Sequence, residues 1–312
     1  MDFTPFEHDG LILFSDLARA GIGGRDTSTA VARGQLIRLR RGAYVRVEVW
    51  RATPPRERHV LRVRAVAAAA RATPTLARAS AAALWGIPLD DYPADVVVLD
   101  RWRGGGRSEP GVTRTARGAT TARLVVREGF HCTDLARTVL DVARELSFAD
   151  AVMLFDWSLG AQNPSPITKA DLMAEASRLK VSPALWKAAA FSTHLSGSKG
   201  ESRARAVIYL LGYPQPVLQK KFVDSTGAMY PDFHFEDANV AAEFDGKMKY
   251  TRDEYTKGDP AEAVWKEKKR EDRLRRQVRT VVRILTHDVE NPAVLDQKLR
   301  EAGIRRVRGG SA

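Results

Sequence analysis

Apolar residues change their period several times along the chain, and each change marks an element. LILFSDLARA (Leu11 to Ala20) reads as a short amphipathic helix, and GIGG follows as a stop signal. Asp26 or Thr27 is placed to cap a second helix that runs through Arg33 and ends at Gly34. LIRLRRGAYVRV then alternates around Arg41-Gly42, the pattern of a β-hairpin. Farther on, RERHVLRVRAVAAAARA reads as a helix and SAAALWGIP follows it. VVVLD and ARLVV read as strands on either side of the arginine- and glycine-rich loop WRGGGRSEPG. Helices are predicted over 134–145 and 148–159.

The last third has the clearest order. A helix is predicted from Glu201 to Leu211, then strands near 217–223, 229–235 and 240–245. A long charged helix starts at Pro260, suited to a first turn, and runs to about Gln277. A buried strand TVVRIL (280–285) and a helix from Pro292 to Ala302 close the chain. The order is αβββαβ with one further helix. The pattern divides into residues 1–54, an α/β middle block 55–160, a connecting segment 161–200 and a final block 201–312. The expected fold class is α/β multidomain.

Composition narrows the function classes. The 312 residues suffice for two or three domains, and 44% hydrophobic with 28% charged residues is a globular balance. No run of eighteen apolar residues occurs, and the acidic start MDFTPFEHDG lacks the basic region of an export signal. With Cys132 as its single cysteine the chain has no intrachain disulfide and no cysteine-rich zinc site. A cytoplasmic protein with no membrane partner is expected. The net charge of +12 favours a polyanionic partner, nucleic acid above all. The first lysine is Lys169, so the front half is basic through arginine alone, whose planar fork suits phosphate and base edges.

The sharpest chemical signal is YPDFHFEDANVAAEFDGKMKY, residues 230–250. Strand alternation puts Phe233 and Phe235 on one face and Asp232 and His234 on the other. Val240, Ala242 and Phe244 share one face of the next strand, and Ala241, Glu243 and Asp245 the other. A turn centred on Asp237-Ala238 makes paired residue numbers sum to 475, which sets Asp232 opposite Glu243. Two carboxylates at a cross-strand spacing of about 5 Å repel unless something positive lies between them. A divalent cation with oxygen ligands is the simplest candidate, and phosphodiester cleavage is the chemistry it serves. Asp245, Lys247 and Lys249 continue the alternation, with Gly246 a point where the chain can bend. The alternative is an acidic hairpin with solvated carboxylates.

The αβββαβ order, with P-D-F … E-F-D-G-K-x-K-Y … E-K-x-R-E-D-x-L-R … V-V-R, resembles the PD-(D/E)xK nuclease superfamily. It is especially similar to the branch related to very-short-patch-repair endonucleases. That resemblance implies a restriction-endonuclease-like domain over 201–312, with Mg²⁺ or Mn²⁺ as cofactor and Asp232 and Glu243 as metal ligands. It makes Glu201 the helical acidic residue of the site. Ala204, Val207, Ile208 and Leu211 form that helix's buried stripe, and Glu201 lies on the same side one turn earlier. One departure stands out. The pattern expects lysine two residues after the glutamate, and this chain has Asp245 there. Lys247 is the first replacement candidate and Lys268, on the charged helix, the second. Arg283, amid the apolar strand TVVRIL, requires a carboxylate or phosphate partner.

LARAGI … TAVARGQLIRLRRGAYV resembles the winged helix-turn-helix of AbiEi-type antitoxins and related regulators, and RASAAALWGIPL … TDLARTVLDVAR resembles the rest of that architecture. The resemblance implies DNA contacts from Arg25, Thr27, Ser28 and Arg33 on the second helix and from Arg38, Arg40 and Arg41 on the wing. Arg101 to Arg107 form a second basic loop, and Trp85 and Trp102 are expected to anchor structure. The leading expectation is a DNA-binding, metal-dependent endonuclease of defence or repair. The alternative is a non-enzymatic, antitoxin-like regulator with a decayed nuclease fold. Expected partners are DNA, a second copy of the chain, and a cognate toxin or defence component. No glycine-rich phosphate loop or nucleophile motif points to another enzyme class.

Overall fold

The computed structural model describes residues 1–100, 109–116, 119–246 and 260–307, a mixed α/β chain with several small sheets. It divides into two compact units, Met1–Arg144 with Ala174–Lys180, and Glu145–Met173 with Val181–Ala312.

In the first unit β1 (Glu7–His8), β2 (Leu11–Leu13), β3 (Leu36–Arg40) and β4 (Ala43–Arg46) form one sheet in the order β1-β2-β4-β3. The segment 11–20 therefore corrects the sequence reading. Leu11–Leu13 is strand, and only α1 (Phe14–Arg19) is helix. The reason is pairing, since Ile12 and Leu13 lie opposite Tyr44 and Ala43. In α2 (Gly24–Ala32) the cap is Gly23, not Asp26 or Thr27, and the Asp26 carboxylate accepts the Gly23 N–H. Gly42 takes φ +79° in the β3–β4 turn, where the sequence placed a hairpin. Ile12, Leu17, Ala30 and Leu36 form the core between these elements.

After α3 (Val47–Ala52) comes α4 (Pro55–Ala69), whose Leu61 and Ala65 pack with Leu11, Ala43 and Val45 of the sheet. Its other side meets α5 (Arg78–Trp85) and β5 (Val96–Leu99). With α4 covered on both sides, residues 1–54 and the block that follows fall in one compact unit. β5 pairs in parallel with β6 (Val112–Thr115), and β7 (Leu124–Arg127) makes a hairpin with β8 (Phe130–Thr133). α6 (Leu135–Ala143) is capped by the Asp134 side chain on the Arg137 N–H. Trp85 anchors structure as expected, donating to the Thr133 carbonyl and lying under the Arg127 guanidinium. Trp102 and the 101–107 loop lie outside the described residues.

The second unit opens with α7 (Phe148–Leu159), which the sequence reading grouped with the middle block. α8 (Lys169–Arg178) and α9 (Pro183–Phe191) lie in the segment read as a connection. α7 packs on α9 and on α10 (Lys199–Leu210) because all three bury apolar faces. Inside that packing the Arg205 guanidinium meets the Asp156 carboxylate at 2.9 Å, and the same carboxylate accepts the Thr193 N–H. Burial raises the Asp156 pKa, and the Arg205 charge opposes the rise.

The sheet of this unit has the order β14-β13-β12-β9, built from β9 (Val217–Leu218), β12 (Phe233–Phe235), β13 (Val240–Asp245) and β14 (Thr280–Leu285). β10 (Phe222–Asp224) and β11 (Gly227–Met229) form a separate hairpin. The predicted strands 217–223 and 229–235 are thus each broken in two. Pro231, which cannot donate to a ladder, separates β11 from β12. β9, β12 and β13 are antiparallel neighbours, and β13 runs parallel to β14 through the crossover helix α11 (Pro260–Arg275). Phe233, Phe235, Val240 and Ala242 pack against Ala204 and Ile208 of α10 and Leu295 and Leu299 of α13 (Pro292–Glu301), which follows α12 (Thr286–Glu290). On the opposite face Ala241 packs with Met229, Leu274 and Val278. Among the described residues no helix is long and apolar enough to cross a membrane.

Candidate functional site

The hairpin β12–β13 has the register that strand alternation predicts. Phe233 pairs with Ala242, His234 with Ala241 and Phe235 with Val240, so paired numbers sum to 475. The turn is the four residues Glu236–Asn239, closed by the Asn239 N–H on the Glu236 carbonyl at 3.0 Å. Asp232 stands one position before β12, and the same register puts it across from Glu243. Its Oδ2 accepts the Phe244 N–H at 2.8 Å, which ties the carboxylate to β13. Asp232 and Glu243 share the α11 side of the sheet with His234, whose ring is buried edge-on to Phe222 and whose Nε2 lies 3.2 Å from Asn239 Oδ1.

Glu243 is only 8% exposed, and a carboxylate at that depth needs a positive partner. Arg270 supplies one from α11, its Nη2 lying 2.7 Å from Glu243 Oε1. The geometry of α11 explains why. Leu274 is fully buried against the sheet, and Arg270 sits one turn earlier on the same helix face. Sequence reasoning missed Arg270; four-residue spacing from Leu274 is the signal that finds it. Lys268 lies off that stripe and is exposed. Lys247 and Lys249 lie outside the described residues.

Asp245 ends β13, and Arg283 of β14 meets its Oδ2 at 3.3 Å and Glu271 Oε2 at 2.9 Å. Glu271 is drawn below the usual carboxylate range, first by its hydrogen bond from Arg275 and further by Arg283. The required carboxylate partner of Arg283 is therefore present, but the expectation that 280–285 is a buried strand is corrected. β14 is an edge strand, and Arg283 is exposed. Glu201 lies in the first turn of α10, where Ser198 caps the Glu201 N–H. Its carboxylate accepts the Gly197 N–H at 2.7 Å, so in this structure it fastens the entry to its own helix. The adjacent Gly200 lies against the ring of Phe244, which brings the start of α10 to the strand of Glu243 and Asp245.

Among the described residues no three His, Cys, Asp or Glu side chains form a metal-holding group. The donor chemistry of Asp232 and Glu243 nevertheless suits a hard divalent cation. Mg²⁺ commonly uses one or two carboxylates and completes its shell with water and phosphate oxygens.

In the first unit Arg25, Ser28 and Arg33 are exposed along or just after α2, and Arg38 and Arg41 are exposed on the β3–β4 hairpin. Two predicted contacts are placed differently. Thr27 is 1% exposed, and its hydroxyl donates to the Gly23 carbonyl at 2.9 Å, so it is buried and tied to the start of its own helix. Arg40 is half-buried, bonded to the Pro110 carbonyl and paired with Glu109 at 2.5 Å. Compared with known proteins, the chain matches no family model and no curated protein.

Proposed function

We propose that this chain is a DNA-binding, divalent-metal-dependent endonuclease whose second unit carries a PD-(D/E)xK-type site. The observation that carries the reading is the carboxylate pair Asp232 and Glu243, set across one hairpin and beside a basic helix. The order α10, β9, β12, β13, α11, β14 supports it as a restriction-endonuclease-like arrangement. Asp232 and Glu243 would hold the cation, Mg²⁺ or Mn²⁺, which supplies Lewis-acid polarisation of a phosphate oxygen and a more acidic bound water. The chain's own contribution is positional. The Phe244 N–H fixes Asp232, Arg283 holds Asp245, and the guanidinium groups of Arg270 and Arg283 bias this edge of the sheet toward phosphate. The first unit, read as a winged helix with an antitoxin-like middle block, brings DNA through Arg25, Ser28, Arg33, Arg38 and Arg41. Lys247 keeps its place as the lysine candidate of the motif.

Plasmid DNA incubated with MgCl₂ or MnCl₂ is expected to be nicked or cut, and EDTA to stop it. Asp232→Asn and Glu243→Gln should abolish cutting while DNA binding stays near normal. Inertness across duplex, mismatched, single-stranded and RNA substrates would refute the enzyme. That outcome favours the second reading, a non-enzymatic DNA-binding regulator. The ion pair of Arg270 with Glu243, and an aspartate where the motif has lysine, are the observations on its side.

A further inference from the structure

Glu243 is already neutralised in this structure by a group of the chain itself. The Arg270 guanidinium, held by the helix face that buries Leu274, lies at hydrogen-bond distance from Oε1. Arg283 occupies the position paired with Glu243 on β14 but turns its guanidinium to Asp245 and Glu271. Arg270 thus pairs with the buried carboxylate, and Arg283 pairs with Asp245.

We propose that Arg270 is a resident counter-ion that sets the divalent-cation affinity of the Asp232 and Glu243 pair. The inference rests on the reading that these two carboxylates hold a cation. Its physical basis is competition for one carboxylate. Without a cation, Arg270 offsets the charge of Glu243 at 8% exposure, and taking a cationic partner from a buried carboxylate is destabilising. With a cation bound, Arg270 is a like charge within reach of the same oxygens, and like charges at that range oppose each other. The same side chain therefore stabilises the cation-free site and weakens cation binding.

The test titrates MnCl₂ into the full-length protein and its Arg270→Gln variant by calorimetry, with free Mn²⁺ followed by electron paramagnetic resonance. Arg270→Gln is expected to bind Mn²⁺ about ten-fold more tightly or better, the low end of the one to three powers of ten by which a neighbouring charge changes a carboxylate's proton affinity. Its cation-free melting temperature should fall below that of the natural protein, and Mn²⁺ should restore it. In the double variant Glu243→Gln/Arg270→Gln both the tight binding and the Mn²⁺-dependent rescue should vanish. Equal or weaker Mn²⁺ binding by Arg270→Gln overturns the proposal, as does binding by neither protein. Should Arg270→Gln be unfolded without cation, refolding by MnCl₂ and not by KCl of equal ionic strength supports it, and no refolding overturns it. Plasmid cleavage measured on the same preparations separates the two ideas. Tighter binding without any cutting removes the nuclease reading alone, and Mn²⁺-dependent cutting with unchanged affinity removes the role of Arg270 alone.

Discussion

The ring of Phe244 lies so close to Gly200 that a methyl group there would overlap the ring edge at Cε1. The contact joins the first turn of α10 to the strand that carries Glu243 and Asp245. Ordinarily Gly→Ala in a helix stabilises by up to about 1 kcal/mol. Here overpacking, which costs about 1–3 kcal/mol, opposes that gain and should win. Urea unfolding of Gly200→Ala is expected to show a net loss of stability, and Gly200→Ala/Phe244→Leu to recover part of it. A stabilised single variant would mean that the strand yields freely.

His59 gives the first unit a pH dependence. The ring is buried, with Nδ1 3.0 Å from the Pro93 carbonyl and Nε2 2.8 Å from Ser80 Oγ, which in turn accepts the Val97 N–H. A carbonyl can only accept, so Nδ1 carries the proton and Nε2 receives the Ser80 hydroxyl. Burial depresses the His59 pKa to about 4. The unfolded chain takes up a proton near the ordinary value of about 6.5, whereas the folded chain does not. The favourable contribution of neutral His59 is therefore complete above about pH 6.5 and falls away toward pH 4, by at most about 3 kcal/mol. Denaturant midpoints measured across that interval should fall with acid, and His59→Gln should flatten this part of the profile. A slope unchanged in the variant would assign it to other groups.

The DNA-facing role proposed for the first unit separates neighbouring residues of α2. Arg25 and Arg33 are exposed, whereas Thr27 is buried with its hydroxyl on Gly23. Thr27→Val should cost about 1 kcal/mol of stability by removing that hydrogen bond and leave DNA affinity unchanged. Arg25→Ala with Arg33→Ala should weaken DNA binding and flatten its salt dependence by roughly one log–log unit for each phosphate no longer neutralised. Retained affinity and salt slope in the arginine variants would remove α2 from the DNA surface.

The hairpin of the candidate site was legible in the chain alone, because strand periodicity is two and one turn position fixes every pair. Phe233, Phe235, Val240 and Ala242 could only share the buried face, which left Asp232 and Glu243 together on the other. Which cation meets Glu243 was settled only by packing. Helix α11 carries charge on most of its faces, so its pattern did not distinguish Arg270 from Lys268 until Leu274 was seen buried against Ala241. Packing also made TVVRIL an edge strand, since an apolar run reads alike at the edge and at the centre of a sheet. The grouping of helices was equally out of reach. α7 belongs with α10 because Asp156 and Arg205 bury one another between them, and a pair 49 residues apart leaves no periodic trace in the chain.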